Sequence, residues 1–388
     1  MKEFDIVVYG ATGYTGRLVA EYLAREYAGD ATLTWAMAGR NQEKLKSVRD
    51  EIGAPQSTPL VAADAADPSS LSSMTARTKC VVTTVGPYQL YGEPLVAACA
   101  QAGTDYVDLC GEPNWMRAMI DKYQAAAEKS GARIVFSCGF DSIPFDLGVW
   151  NTQEEARKEF GEPCIEVKGR VRAMKGKFSG GTAASLKETM KAAFKDPGVI
   201  ELLKSPFALT PGFQGASQPS MSKPALDAET GIWLAPFVMA PINTKNVHRS
   251  NFLMGCAYGK DFRYCEMMMT GKGDKGEAAA KAVASDNSLM SDDAPKPGEG
   301  PTKEERESGY YDILFIGETS RGEKIRTHCK GDKDPGYGST SKMIAESAIT
   351  LVRDAPDTKG GVWTPAAAMG APLLQRLEAH AGLSFARE

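Results

Sequence analysis

The chain has 388 residues and a net charge of −4, from 45 Lys and Arg against 49 Asp and Glu. That balance excludes a surface built to hold a nucleic-acid backbone. No apolar run reaches the roughly 18 residues of a membrane span, and the length calls for two domains rather than one core. Eight cysteines without a Cys-x-x-Cys pair, and three histidines with none at i, i+4, point to reduced thiols in a cytoplasmic protein without a metal site.

Residues 6–9 form an apolar run suited to a strand buried on both faces. Gly10, Gly13 and Gly16 follow, and residues 17–24 then take helical spacing. A strand, a glycine-rich turn and a helix N-terminus make a cradle for a dinucleotide pyrophosphate. Gly10 permits the tight turn, Gly13 the approach of the phosphates, and Gly16 the close packing of helix on strand. With Ala11, Thr12, Tyr14 and Thr15 they form the expected cofactor loop. The second strand is expected over residues 31–38. An NAD site places an acidic residue after it, to hold the ribose hydroxyls. This chain has Gly39-Arg40-Asn41 there, with Lys44 a turn further on. The planar, always-charged fork of Arg40 suits a 2′-phosphate, so the expected cofactor is NADP(H).

A helix over residues 42–52 and a third strand over 58–64 follow, the strand ending at Asp64 beside the cofactor. The fourth strand, residues 79–85, runs into a turn in which Thr84, Val85, Gly86 and Pro87 border the cofactor. Tyr88 or Tyr91 is expected to face the nicotinamide. A helix over 92–102, a strand over 105–109, a helix over 114–130 and a strand over 133–138 complete a doubly wound parallel sheet of Rossmann type in residues 1–150. Ligands of such sheets sit beyond the C-terminal strand ends. The turns carrying Tyr88, Glu112 and Asp141 therefore converge on one crevice.

From residue 151 to 335 the pattern is that of a second, mixed-sheet α/β domain. Residues 164–172 alternate like a half-exposed antiparallel strand. Further strands are expected over 252–258, 262–270 and 310–319, the last forming a hairpin with 324–328. Residues 272–308 read as a short helix over 277–284 and then a mobile surface loop. Ser179 and Thr182 flank a glycine pair opening a helix over 183–194, which suits an anionic substrate group or a simple cap. Arg249 is a candidate for an acidic substrate group or for a protein carboxylate. Residues 231–242, short and with two prolines, favour a buried strand or loop over a peripheral membrane or lipid contact. Residues 336–388 carry helices over 341–353 and 372–381, expected to return to the Rossmann domain and close the cleft between the domains.

Gly-Ala-Thr-Gly-Tyr-Thr-Gly at 10–16, Ala-Gly-Arg-Asn at 38–41, Val-Gly-Pro-Tyr at 85–88, Tyr-Val-Asp-Leu at 106–109 and Cys-Gly-Phe-Asp-Ser-Ile-Pro at 138–144 resemble the saccharopine dehydrogenase-like oxidoreductases. That group includes proteins described as trans-acting enoyl reductases. Motifs at 179–185, 236–251, 298–301, 334–340 and 360–367 extend the resemblance over most of the chain. It implies an NADP-binding Rossmann domain, a second α/β domain and a reductase-like activity, without implying saccharopine as substrate. The expected reaction is reduction of an unsaturated, acyl-type or lipid-like small molecule. Tyr88 is the expected proton donor and Asp141 an orienting group; Tyr91, Glu112, Ser179, Thr182 and Arg249 are expected to contact substrate. The alternative is an NADP-binding scaffold or membrane-associated accessory protein without turnover. A homodimer is left open.

Overall fold

The computed structural model describes residues 2–177, 180–228, 230–288, 291 and 298–388. Six strands come first: β1 (Phe4–Tyr9), β2 (Trp35–Gly39), β3 (Leu60–Ala62), β4 (Thr78–Thr83), β5 (Asp105–Val107) and β6 (Arg133–Val135). Six more follow: β7 (Cys164–Lys175), β8 (Ala225–Asp227), β9 (Ile232–Pro236), β10 (Arg263–Lys272), β11 (Tyr310–Thr319) and β12 (Lys324–Gly331). The chain ends with β13 (Gly361–Trp363) and β14 (Leu383–Arg387).

The first sheet has seven strands in the order β13-β6-β5-β4-β1-β2-β3, all parallel. Its central strand β1 is buried along its whole length, as an apolar strand covered on both faces must be. The second sheet, β14-β12-β11-β7-β10-β9-β8, is mixed: β7 and β10 run parallel and the other neighbours antiparallel. The β11–β12 hairpin closes at the expected turn. Strand β7 forms where expected, with buried and exposed residues mixed along it; it pairs antiparallel with β11 but lies in the middle of this sheet, with β10 parallel on its other side.

The helix Ile143–Phe160 runs through residue 150 and lies on the second sheet. Gly148 makes that possible, because a Cβ there would stand 2.2 Å from the Phe315 ring. Residues 252–258 are not a strand. They finish the helix Ala240–Leu253 and the turn after it. That helix buries Asn243, Lys245, Asn246, His248, Arg249 and Asn251 alongside its apolar residues, so no polar stripe marks its period. The expected mobile loop holds a helix Gly273–Ala284 and, after residues outside the description, a capping-box helix Lys303–Glu307.

The C-terminal segment was expected to be helical. It does carry the helices Thr340–Arg353 and Pro365–Arg376, but also β13 and β14, which complete one edge of each sheet. The first helix docks on the helix Tyr14–Glu26 through a buried network. Tyr22 and Tyr27 each donate to Glu346 Oε1 at 2.6 Å, and Arg376 Nε donates to Oε2 at 2.9 Å. Among the described residues no helix is long and apolar enough to cross a membrane.

Glu346 has no exposed side chain, so removing its cation leaves a buried charge uncompensated. Arg376→Ala should lower the unfolding free energy by about 3 kcal/mol, read as a lower urea midpoint with unchanged slope. A change within measurement error would show that packing alone seats the C-terminal helices.

Candidate active site

A cleft of about 1840 Å³ opens where the loops beyond β1 and β4 part. This is where the strand order reverses and where open α/β sheets bind ligands. Gly10 has φ +86°, and a Cβ there would stand 2.5 Å from Val85 Cγ2. On Gly16 a Cβ would meet the Gly10 carbonyl oxygen at 2.2 Å, whereas on Gly13 it would approach only that oxygen, at 3.3 Å. Gly16 is thus closed by protein, while Gly10 and Gly13 border the cleft. Gly13 is also the N-cap of the helix Tyr14–Glu26, with no side chain bonded to it and no acidic residue in the first turn. That helix end is therefore available to an anion. The residues fit a dinucleotide pyrophosphate.

Thr12, Tyr14 and Thr15 line the same cleft, as do Arg40, Asp64, Thr84, Val85 and Gly86. Ala11 lies beneath the loop, fully buried. Asn41 caps the helix Gln42–Glu51 by accepting from the Lys44 amide at 2.9 Å, and both side chains are exposed outside the cleft. Arg40 is thus the one cation of this trio that borders the cleft. Pro87 precedes the short helix Tyr88–Tyr91 and does not line the cleft.

The substrate side differs from expectation at three residues. Tyr88 borders the cleft, but its hydroxyl accepts from the Leu109 amide at 3.0 Å and sits 3.3 Å from the Thr83 carbonyl. Burial holds that phenol well above its ordinary range, and its hydroxyl is turned to the backbone of the wall. Glu112 is fully buried behind the cleft. It accepts from the amides of Tyr88 and Gln89, each at 2.9 Å, and from the Ser185 hydroxyl at 2.6 Å. It ties these elements together and does not line the cleft. Arg249 is buried away from the cleft, donating to the carbonyls of Leu209 and Val362. Tyr91 and Thr182 do line the cleft, and Ser179 lies outside the described residues.

Asp141 is half-buried in the cleft wall, and its Oδ1 is shielded from solvent without a hydrogen-bond partner. Burial pushes its carboxyl up to about 7. Two other buried aspartates are raised as far yet are satisfied. Asp108 accepts from the amides of Cys110 and Ser137 and from the Tyr106 hydroxyl, and Asp146 from Ser250 and the Ala366 amide. The sequence hid two further groups near the cleft, Lys245 and Glu266. Lys245 lines the cleft and donates to the carbonyls of Leu203 and Pro241, both at 2.9 Å; burial lowers its ammonium to about 8. Glu266 is fully buried on β10.

The model of the saccharopine dehydrogenase NADP binding domain matches residues 6–135. A Mycobacterium tuberculosis protein named provisionally as a trans-acting enoyl reductase is 44% identical over 412 residues, covering 99% of this chain and 97% of that protein. The chain belongs to the saccharopine dehydrogenase-like oxidoreductases. A trans-acting enoyl reductase of Mycobacterium bovis is 40% identical, with 97% and 96% covered. The apo saccharopine dehydrogenase of Saccharomyces cerevisiae shares the fold at 10% identity, with a TM-score of 0.57 over 99% of each chain. As members of this family do, the chain takes NADP(H) on its first domain.

Two outcomes follow from this geometry. Gly13→Ala puts a methyl group where phosphates would approach and 3.3 Å from the Gly10 carbonyl oxygen, which must shift slightly, so NADPH affinity should fall at least about 10-fold while the protein still folds, with a somewhat lower melting temperature. For Asp141 burial raises the folded carboxyl to about 7, against an ordinary value of 3.8 for the unfolded one. The folded state therefore binds more protons between those values and loses stability as pH rises through them. Asp141→Asn should melt above wild type at pH 8, and the gap should close as pH falls toward 4. A gap independent of pH would show that the carboxyl is not raised.

Proposed function

We propose that this oxidoreductase is an NADPH-dependent reductase of an unsaturated acyl or lipid-like substrate. The observation that carries the reading is that one cleft joins the glycine cradle to an apolar rim. Leu90, Tyr91, Met190, Phe194, Ile200 and Val238 all border the cleft, and all are among the large hydrophobic side chains most exposed to solvent. Phe194 is 92% exposed. Exposed apolar residues gathered on one opening mark a binding surface. The relatives named trans-acting enoyl reductases, at 40% and 44% identity, support a polarised C=C as the reducible group.

When bound, NADPH supplies the hydride. The rest is done by the chain. The helix end at Gly13 holds the pyrophosphate and the Arg40 fork the 2′-phosphate. The walls contributed by the loop after β9, the helix Ala240–Leu253 and the helix Gly180–Lys195 hold the acyl part and keep water from the reacting carbon. Asp141 is a cleft-side carboxyl able to hold a proton near neutral pH.

Fluorescence titration of wild type and Arg40→Ala with NADPH and NADH tests the cofactor half. Losing a charge-assisted contact of about 1.5–3 kcal/mol should weaken NADPH by about 10-fold or more and leave NADH unchanged. Equal wild-type affinity for both cofactors would defeat the phosphate role of Arg40. For the substrate half, NADPH oxidation is followed with enoyl thioesters of increasing chain length. Phe194→Asp should raise KM for the long chains only. No turnover on enoyl thioesters, imines or quinones would favour a cofactor-binding scaffold.

A further inference from the structure

The cleft wall holds a buried cation that the cofactor cradle does not use. Lys245, on the helix Ala240–Leu253, borders the cleft although only 3% of its surface is exposed. Its Nζ is fixed between two residues that also line the cleft, donating to the carbonyls of Leu203 and Pro241, each at 2.9 Å. An ammonium carries three N–H groups. The third has no partner among the described residues.

The other lysines that border the cleft are placed differently. Lys177, Lys191, Lys195 and Lys204 are exposed, and Lys187 is half-buried. Lys177, Lys191 and Lys204 pair with Glu305, Glu188 and Glu201 at 2.6, 2.6 and 3.0 Å, and Lys187 donates to the Ser291 carbonyl at 3.3 Å. No carboxylate among the described residues pairs with Lys245. On its own helix, His248 is kept neutral by burial and by this ammonium, its imidazolium pushed down to about 3, and Arg249 is turned to the carbonyls of Leu209 and Val362. The helix Pro197–Lys204 offers the Leu203 carbonyl in its last turn, where a helix carries partial negative charge. The two carbonyls orient the ammonium without neutralising it.

A buried cation without a counter-ion is costly, and an anion seated on it relieves that cost. The same stretch of wall carries Ile200, Leu203, Met239 and Ile242. A thioester carbonyl brings no charge. A phosphate monoester brings a second charge and more oxygens than one N–H can serve. A carboxylate brings a single charge, and its hydrocarbon chain suits the apolar residues beside it. We propose that the third N–H of Lys245 anchors a carboxylate carried by the acyl substrate, so that the cleft selects acidic chains over neutral ones. The acyl chain rests on the function proposed above; the anchor rests on Lys245. Lys245 binds and orients, and no bond is made or broken at it.

Decanoate, 1-decanol and the ethyl thioester of decanoic acid are the probes, titrated into the full-length protein by calorimetry. At pH 7 decanoate should bind at least about 10-fold tighter than decanol, through one charge-assisted hydrogen bond. Burial lowers the free ammonium to about 8, so the preference should shrink toward pH 9.5 as the proton is lost. Lysines labelled with 13C at Cε give a second readout. The resonance missing from Lys245→Arg should titrate near pH 8 in the free protein and at higher pH with decanoate bound. Lys245→Gln should bind decanoate and decanol alike, and Lys245→Arg should keep the preference, both with wild-type circular dichroism and NADPH affinity. Equal wild-type affinity for decanoate and decanol, or a resonance that decanoate leaves in place, refutes the anchor even where Lys245→Gln fails to fold. Tightest binding by the thioester, lost in Lys245→Gln, would show that Lys245 takes a neutral carbonyl and would refute the carboxylate. If decanol and the thioester bind and decanoate binds no better, the acyl reading stands and the anchor falls. If none of the three binds, the acyl reading falls with it.

Discussion

A Cβ on Gly16 would stand 2.2 Å from the Gly10 carbonyl oxygen, and one on Gly10 would stand 2.5 Å from Val85. The absence of both atoms brings the helix Tyr14–Glu26 onto the end of β1 and the β4 turn onto the loop between them. No side chain caps the helix, so its positive end is left for an anion. From that contact follows the position of the cleft. The chain returns to it from far along the sequence: the Tyr14 hydroxyl bonds to the Pro301 carbonyl and accepts from Arg306, and the Tyr14 and Tyr337 rings meet edge to face with centroids 4.6 Å apart.

The two sheets are then fixed relative to each other by parts of the chain distant in sequence. The Phe140 amide donates to Thr340 Oγ1 at 2.9 Å, while its ring packs on Phe145 and Tyr311. Phe140 thus ties the loop after β6, the helix Ile143–Phe160, β11 and the helix Thr340–Arg353 at one point. Asp141 is the next residue. Its position in the wall is set by this cluster, while Ser142 beside it is held by Asn246. A wall held from several elements keeps a reacting group in place more tightly than a loop could.

The nucleotide domain was legible because its signals are local. The apolar run of β1, three glycines and a following helical period occupy about twenty adjacent residues, and Arg40 stands where an acidic residue would otherwise be. The helix Ala240–Leu253 was not legible, since it is buried on every side and mixes Asn, Lys, His and Arg with apolar residues. Without an exposed face, helical periodicity has nothing to contrast. Strands β13 and β14 were missed because each is an edge strand of three or five residues whose partner lies far away in sequence. Tyr88, Glu112 and Arg249 lay in the right motifs, but their roles depend on which backbone groups their polar atoms reach. Tyr88 OH meets Leu109 N, Glu112 meets the amides of Tyr88 and Gln89, and Arg249 meets two carbonyls. Glu266 gave no signal because nothing in Tyr-Cys-Glu-Met marks a carboxylate as buried.

The same polar accounting separates structural carboxyls from one available to chemistry. Asp108, Asp146 and Glu112 are each surrounded by donors that fix local backbone. A buried carboxyl supplied with donors favours its ionised form relative to one without them. Asp141 Oδ1 lacks such donors, and a buried polar atom left unmade costs about 1–3 kcal/mol. Packing an amide or an apolar residue there would relieve that cost, as replacing buried ionic groups often does. The cost falls on the side of the cleft to which the glycine cradle opens. Strain of this kind is expected where a group must change protonation rather than hold a fold together.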